Sequence, residues 1–173
     1  RAVPGDVVIV NGHLGDHGVA ILQARGDLAL TLAVASDCQP LHGLIDCMRA
    51  ACPDIHCLRD ATRGGLATVL DEFAHSSGVG IRLDEESLPV RDAVRGVCEI
   101  LGFDPLYLAN EGKALLVVDA SAAEDALASL REHPLGREAA IIGEVAEGSP
   151  GVRMRTLAGG LRAVDYPVGD QLP

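Results

Sequence analysis

Three polar stretches carry the side chains with which this chain can do chemistry. Residues 60–65 read DATRGG and stand between the mixed run IHCLR and the segment LATVLDEFA. The first turn of a helix leaves backbone N–H groups unpaired, and glycines let an anion approach them without a Cβ in the way. Thr62 can cap such a helix through its hydroxyl, and Arg63 can donate to a phosphate oxygen. Asp60, at the end of the preceding strand, can hold a metal ion or orient Arg63. A phosphate seat is one reading and a turn with a helix cap is the other. The GxxxxGK[ST] pattern is absent, so this is not a Walker loop.

The second stretch, NGHLGDHG at residues 11–18, is another glycine-rich junction from strand to helix and carries His13, Asp16 and His17. It lacks the GxGxxG spacing of a dinucleotide site. Asp16 as a helix cap beside a surface His17 accounts for it equally well. In the third, NEGK at residues 110–113, Asn110, Glu111 and Lys113 immediately precede an apolar run. A carboxylate at the end of a sheet can act as a general base, because burial raises its pKa above the ordinary value of about 4.3. The alternative is a solvated turn with an exposed ion pair. Cys38, His42, Cys47, Cys52, His56 and Cys57 crowd residues 38–57 without a zinc spacing. Cys47 and Cys52 fall on different helix faces, so buried free thiols are expected and no metal site is assigned.

These stretches need elements to position them. Residues 6–10 read as a short buried strand, and a helix follows that ends near Arg25 and Gly26. Residues 28–35 are apolar and fit either a strand or a helix. Residues 41–52 are helical in pattern, with Pro53 as the stop. Residues 55–59 are a strand candidate. Beyond DATRGG, Leu66, Val69, Leu70, Phe73 and Ala74 have the spacing of one helix face, ending before Gly78. Residues 79–83 alternate as a strand. Val90, Val94, Val97, Cys98 and Leu101 mark the next helix, closed by Gly102. Residues 114–119 form a buried strand, and Ser121 with Glu124 has capping-box spacing for a helix that runs to about Glu132. Residues 139–145, 152–156 and 159–165 complete the strand candidates. The alternation predicts an α/β fold, a mixed sheet with helices packed on it.

Composition narrows the function. The 173 residues suffice for one sizeable domain, and four aromatic residues without Trp leave Ala, Val, Leu and Ile to build its core. A net charge of −11, with Lys113 the single lysine, disfavours nucleic acid and anionic membranes. Apolar runs fall short of the ~20 residues of a membrane span, and no signal peptide opens the sequence. Five cysteines without a CxxC pair fit a reducing compartment, so a cytoplasmic protein is expected. The start at RAVPGDVVIV, with no Met, suggests a piece of a longer chain.

In order along the chain, GDVVIVNGHLGDHGVAIL, SDCQPL, DATRGGLATVLDEFA, LPVRDAVRGVCEILGFDPLYLANEGK and HPLGREAAIIGEV resemble the C-terminal half of the HypE family of hydrogenase maturation proteins. That family is similar in fold to the PurM-like (aminoimidazole ribonucleotide synthetase) superfamily, with selenophosphate synthetase and thiamine-monophosphate kinase as relatives. The resemblance implies an α/β/α domain over residues 1–165, a tail over residues 166–173, and an ATP-binding N-terminal half absent from this chain. It further implies dehydration, with ATP, of a carbamoyl group on a C-terminal cysteine to protein-bound thiocyanate. That product supplies the cyanide ligands of [NiFe]-hydrogenase. ATP and Mg2+ would be held mainly by the N-terminal half, and the implied partners are HypF, the HypC–HypD scaffold and a second copy of the protein.

Residue by residue, Glu111 matches the family's proposed base. Asp60, Thr62, Arg63, Gly64 and Gly65 match the loop expected to face the nucleotide and the modified tail. Asp16 and His17 match its GDHG segment, Asn110 and Lys113 flank the base, and Asp71 stands where relatives often carry His or Asn. The tail YPVGDQLP stops where family members continue to Arg-Ile-Cys. Another PurM-like ATP-dependent synthetase, or a non-catalytic module that binds protein or metal, are the competing readings. Residues 1–173 are expected to fold, to be inactive alone and to bind ATP weakly or not at all. Isothermal titration should therefore show no micromolar ATP binding, and a micromolar isotherm would contradict the assignment.

Overall fold

The structure is a computed structural model that describes residues 1–26 and 33–167. Its strands are β1 (Val7–Val10), β2 (Ile55–Asp60), β3 (Gly80–Asp84), β4 (Ala114–Val118), β5 (Ala140–Ala146), β6 (Gly151–Arg155) and β7 (Leu161–Val164). The helices are α1 (Asp16–Ala24), α2 (His42–Ala51), α3 (Gly65–Ser77), α4 (Asp92–Leu101) and α5 (Ala123–Glu132). One seven-stranded sheet runs in the order β2-β4-β1-β5-β3-β6-β7. Neighbours are antiparallel except β3 and β6, which are parallel, so the sheet is mixed as the sequence predicts.

The most completely enclosed strand is β4, ALLVV, in which every residue is buried; it lies next to the edge strand β2. Successive side chains of a strand point to opposite faces. Leu115 and Val117 therefore join Val8 and Val10 of β1 in a cluster with Leu66, Val69, Leu70, Phe73 and Ala74 of α3. Those five α3 residues are the stripe expected from the spacing. Leu116 and Val118 join Ile9 on the opposite face, beneath Leu44 and Met48 of α2 and Ala126, Leu127 and Leu130 of α5. The result is helix, sheet, helix. A third, smaller cluster joins α1 to α4 through Val19, Val94, Val97, Cys98 and Leu108.

Several boundaries follow the expected signals, with α3 and α4 ending at Gly78 and Gly102 and α2 giving way to Cys52 and Pro53. Leu101 is exposed and does not share the buried stripe of α4. The capping box expected at Ser121 is replaced by another cap. The Asp119 side chain accepts from the Ser121 N–H at 2.8 Å and from its hydroxyl at 2.5 Å, which builds a 3-10 turn over Ala120–Ala122. Helix α5 then starts without a side-chain cap. The carboxylate two residues upstream competes for the same backbone donor and wins. Of residues 28–35, those up to 32 lie outside the described residues, and 33–35 are irregular. Residues 168–173 of the tail also lie outside them.

Truncating the doubly covered strand should be costly. Leu116→Ala should lower unfolding stability by about 2–5 kcal/mol in urea titration, the usual range for a fully buried leucine. Leu161→Ala, at a side chain 61% exposed, should stay within about 0.5 kcal/mol.

Candidate functional site

Strand register brings the three polar stretches together. Val10 of β1 pairs with Leu115 of β4, and Asp60 of β2 pairs with Ala114. Both neighbours of β4 are antiparallel to it, so the ends of β1 and β2 flank its beginning. Backbone bonds stitch the junction, with the Ala61 N–H donating to the Lys113 carbonyl at 3.0 Å and the Asn11 N–H to the Ala114 carbonyl at 3.3 Å. The Asn11 side chain donates to the carbonyls of Gly112 and Leu135 at 3.2 and 2.9 Å and accepts from the Ala114 N–H at 2.8 Å. NEGK therefore stands between NGHLGDHG and DATRGG.

On the NGHLGDHG side the sheet end opens into a cleft of about 450 Å³, lined among others by Asn11, His13, Asp16, Asp37, Arg91, Lys113, Arg137 and Glu138. Asp16 is buried as the first residue of α1, whose N-cap is Gly15 without a side-chain bond, so Asp16 does not cap the helix. Its carboxylate favours the positive end of the helix. Oδ2 accepts from Arg91 Nε at 3.1 Å, while Oδ1 is buried without a hydrogen-bond partner among the described residues. Burial first, and then the Arg91 charge, push the His13 pKa below its ordinary value, so the imidazole is neutral at pH 7. His17 is half-buried with Nδ1 2.8 Å from Ser36 Oγ. Asn110 is fully buried and spends its side chain on the fold, accepting from the Gly15 N–H at 2.9 Å and donating to the Leu108 carbonyl at 3.1 Å.

Lys113 is also buried, and its ammonium donates to Asp37 Oδ2 at 2.7 Å. The exposed ion pair considered for this turn is thus a buried one, with a partner 76 residues away. Glu111 is exposed, its carboxylate carries no ion pair among the described residues, and its N–H donates to Asp37 Oδ1 at 3.0 Å. Sequence reasoning missed Asp37 and Arg91. Polar residues in SDCQPL and LPVR were the available signal, and no local spacing links them to their partners.

The DATRGG segment does not line this cleft. Gly64 is the N-cap of α3, with φ 74° and no side-chain bond, so Thr62 does not cap the helix; its carbonyl accepts from the Gly65 N–H at 3.0 Å. Gly65 has φ 59°, and a Cβ there would overlap the carbonyl oxygens of Leu106 and Leu108. The doublet thus lets the start of α3 pack under residues 106–108. Asp60 and Arg63 are exposed, and no ion pair joins them among the described residues. Asp71 is half-buried on α3, 3.2 Å from His75 Nδ1.

Residues 3–155 match the family described as AIR synthase related protein, C-terminal domain. The chain belongs to this family. It is 53% identical to the hydrogenase expression/formation protein HupE of Azotobacter chroococcum mcd 1, over 174 aligned residues. It is 52% identical to the carbamoyl dehydratase HypE of Azotobacter vinelandii over the same length, and each match covers all of this chain and 51% of the relative. The chain therefore spans about half the length of the curated relatives it matches. Among solved structures it is similar to one of a HypE–HypF complex, with TM-score 0.92 and 46% identity over 96% of this chain and 54% of that one. It is equally similar to HypE in complex with ATP, with TM-score 0.92 and 43% identity over 100% of this chain and 53% of that one. A thiamine-monophosphate kinase of Stenotrophomonas maltophilia K279a is more distant, with TM-score 0.65 and 30% identity over 89% of this chain and 51% of that one.

Within this AIR synthase-related domain the cysteines are dispersed. Cys38 and Cys47 are exposed, Cys57 is half-buried, and Cys52 and Cys98 are buried; all five are free. Burial, with the Asp104 charge second, pushes the Cys98 thiol up to about 11. The thiolate is the reactive form, and at pH 8 that shift leaves roughly a hundredth of the thiolate that a thiol at the ordinary value of 9.0 would hold. Alkylation at pH 8 followed by peptide mapping should label Cys38 and Cys47 first and Cys98 about 100-fold more slowly or not at all.

Proposed function

We propose that this chain is the C-terminal half of a HypE-type carbamoyl dehydratase. In this reading it works in the cytoplasm on a carbamoylated C-terminal cysteine and yields a protein-bound thiocyanate for hydrogenase cyanide ligands. The observation that carries this reading is identity above 50%, along the whole chain, to proteins bearing the names HypE and HupE. The likeness to thiamine-monophosphate kinase is weaker in both sequence and shape, which favours this reading over another PurM-like synthetase.

The reaction needs a base to take a proton from the carbamoyl nitrogen, attack of the carbamoyl oxygen on the γ-phosphate, and loss of the second proton as phosphate leaves. Glu111 takes the first role. Its carboxylate is accessible and unpaired among the described residues, while its own backbone is held by Asp37. Asp60, Thr62 and Arg63 reach the nucleotide or the tail from the rim above α3, with Gly64 and Gly65 setting the turn, and Asp16, His17, Asn110 and Lys113 shape the neighbouring cleft.

The cleft residues named above balance three cations, Arg91, Lys113 and Arg137, against three carboxylates, Asp16, Asp37 and Glu138. Such a lining gives little net attraction for a triphosphate, which supports nucleotide binding mainly by the other half of the protein. Among the described residues no group of three or more His, Cys, Asp or Glu side chains can hold a metal ion. Mg2+ in nucleotide sites is held by one or two carboxylates together with substrate phosphates and waters, and in this reading the other half of the protein would supply most of those ligands. HypF as carbamoyl donor, the HypC–HypD scaffold as acceptor and a homodimeric state complete the proposal. The solved HypE–HypF complex supports the first of these.

The decisive measurement is thiocyanate formation by mass spectrometry, in the full-length protein supplied with ATP and a carbamoylated tail. Glu111→Gln should slow it by about 10² to 10⁴, the usual worth of a general base. A wild-type rate would remove Glu111 from the mechanism.

A further inference from the structure

Residues 33–39 have no regular structure, yet their polar side chains are tied to the site at several points. Ser36 Oγ lies 2.8 Å from His17 Nδ1. The two oxygens of Asp37 then divide between the two sides of one turn, Oδ1 accepting from the Glu111 N–H at 3.0 Å and Oδ2 from Lys113 Nζ at 2.7 Å. Gly112 between them has no space for a side chain, because a Cβ would overlap the Asp37 backbone carbonyl oxygen. One carboxylate therefore straddles Gly112 and grips the residues on both sides.

The grip lies almost out of water, with the Asp37 and Lys113 side chains 7% and 10% exposed. Burying a carboxylate and an ammonium costs desolvation that a solvated turn would avoid, so the pair adds little to stability and its use lies in geometry. What it fixes is the peptide unit that carries Glu111, whose own side chain is exposed and otherwise unrestrained by an ion pair.

We infer that Asp37 is a positioning residue for Glu111, holding the backbone of the NEGK turn so that the carboxylate at 111 meets the carbamoyl nitrogen in one orientation. This rests on the assignment of Glu111 as the base. A base held in one geometry acts on the transition state, so its loss should appear in kcat and leave KM unchanged.

The test compares Asp37→Asn with Asp37→Ala, each combined with Lys113→Met, in the full-length protein. Neither double variant strands a buried ammonium, and whatever Lys113→Met costs is common to both. Only the asparagine keeps an oxygen for the Glu111 N–H. The alanine variant should show kcat for thiocyanate formation lower by about tenfold or more, with KM for ATP within about twofold. In a Glu111→Gln background the two should become equal, since a residue that acts only through Glu111 has nothing left to position. Equal kcat values with Glu111 intact would overturn the inference. So would a tenfold gap that persists with Glu111→Gln, which would mean that Asp37 acts on substrate directly. Matching circular dichroism and urea midpoints establish that both variants fold; should the Lys113→Met pair fail, the single Asp37→Asn and Asp37→Ala variants replace it, both leaving the Lys113 ammonium without its carboxylate, and the Glu111→Gln background again decides whether the gap runs through Glu111. Glu111→Gln alone at the wild-type rate would instead remove the base assignment, an outcome read before the cycle begins.

Discussion

Strand β4 has no face it can give to water. All five of its residues are buried, helices cover both sides, and β1 and β2 pair with its two edges. A strand so enclosed can satisfy its backbone only by pairing on both edges. With both neighbours antiparallel, the chain that enters β4 must pass between the chain ends that leave β1 and β2. The position of the NEGK turn, and its closeness to NGHLGDHG and DATRGG, follow from that constraint.

Polar groups then lock what apolar burial brings near. Asn11 ties the end of β1 to the turn before β4 and to the segment before β5, and Asn110 holds the entrance of α1. Neither side chain is left over for a ligand, as expected for amides buried this completely. Glycines of both glycine-rich stretches pack closely against the segment around Leu108. Gly65 gives up its side-chain volume to the carbonyls of Leu106 and Leu108. In NGHLGDHG, Gly15 and Gly18 are likewise packed against Leu108, and the cleft lies beside Asn11, Gly12, His13 and Asp16.

The cleft itself is electrostatically balanced, unlike a site that attracts a triphosphate by its own charge. Asp16 is tied to Arg91 and Asp37 to Lys113, so two of its three carboxylates are matched within the chain. A lining of this kind orients groups more than it attracts them. It agrees with the proposed function, in which the other half of the protein would hold the triphosphate.

The sequence by itself determined most of the elements and the side of them that faces inward, because helix and strand periodicities are local. The α3 stripe, the buried apolar run of β4, the alternation of β3 and the stops at Gly78 and Gly102 were legible for that reason, as was the presence of polar chemistry at three turns. The cap at Asp119 was not, since two nearby oxygens compete for one donor and only the folded backbone decides between them. Tertiary structure alone decided that Lys113 is buried, that Asp37 spans the turn carrying Glu111, and that Arg91 meets Asp16. The partners in these contacts are 74 to 76 residues apart. Such pairings leave no period in the chain, because they arise only when the order of strands in the sheet brings distant turns to the same end.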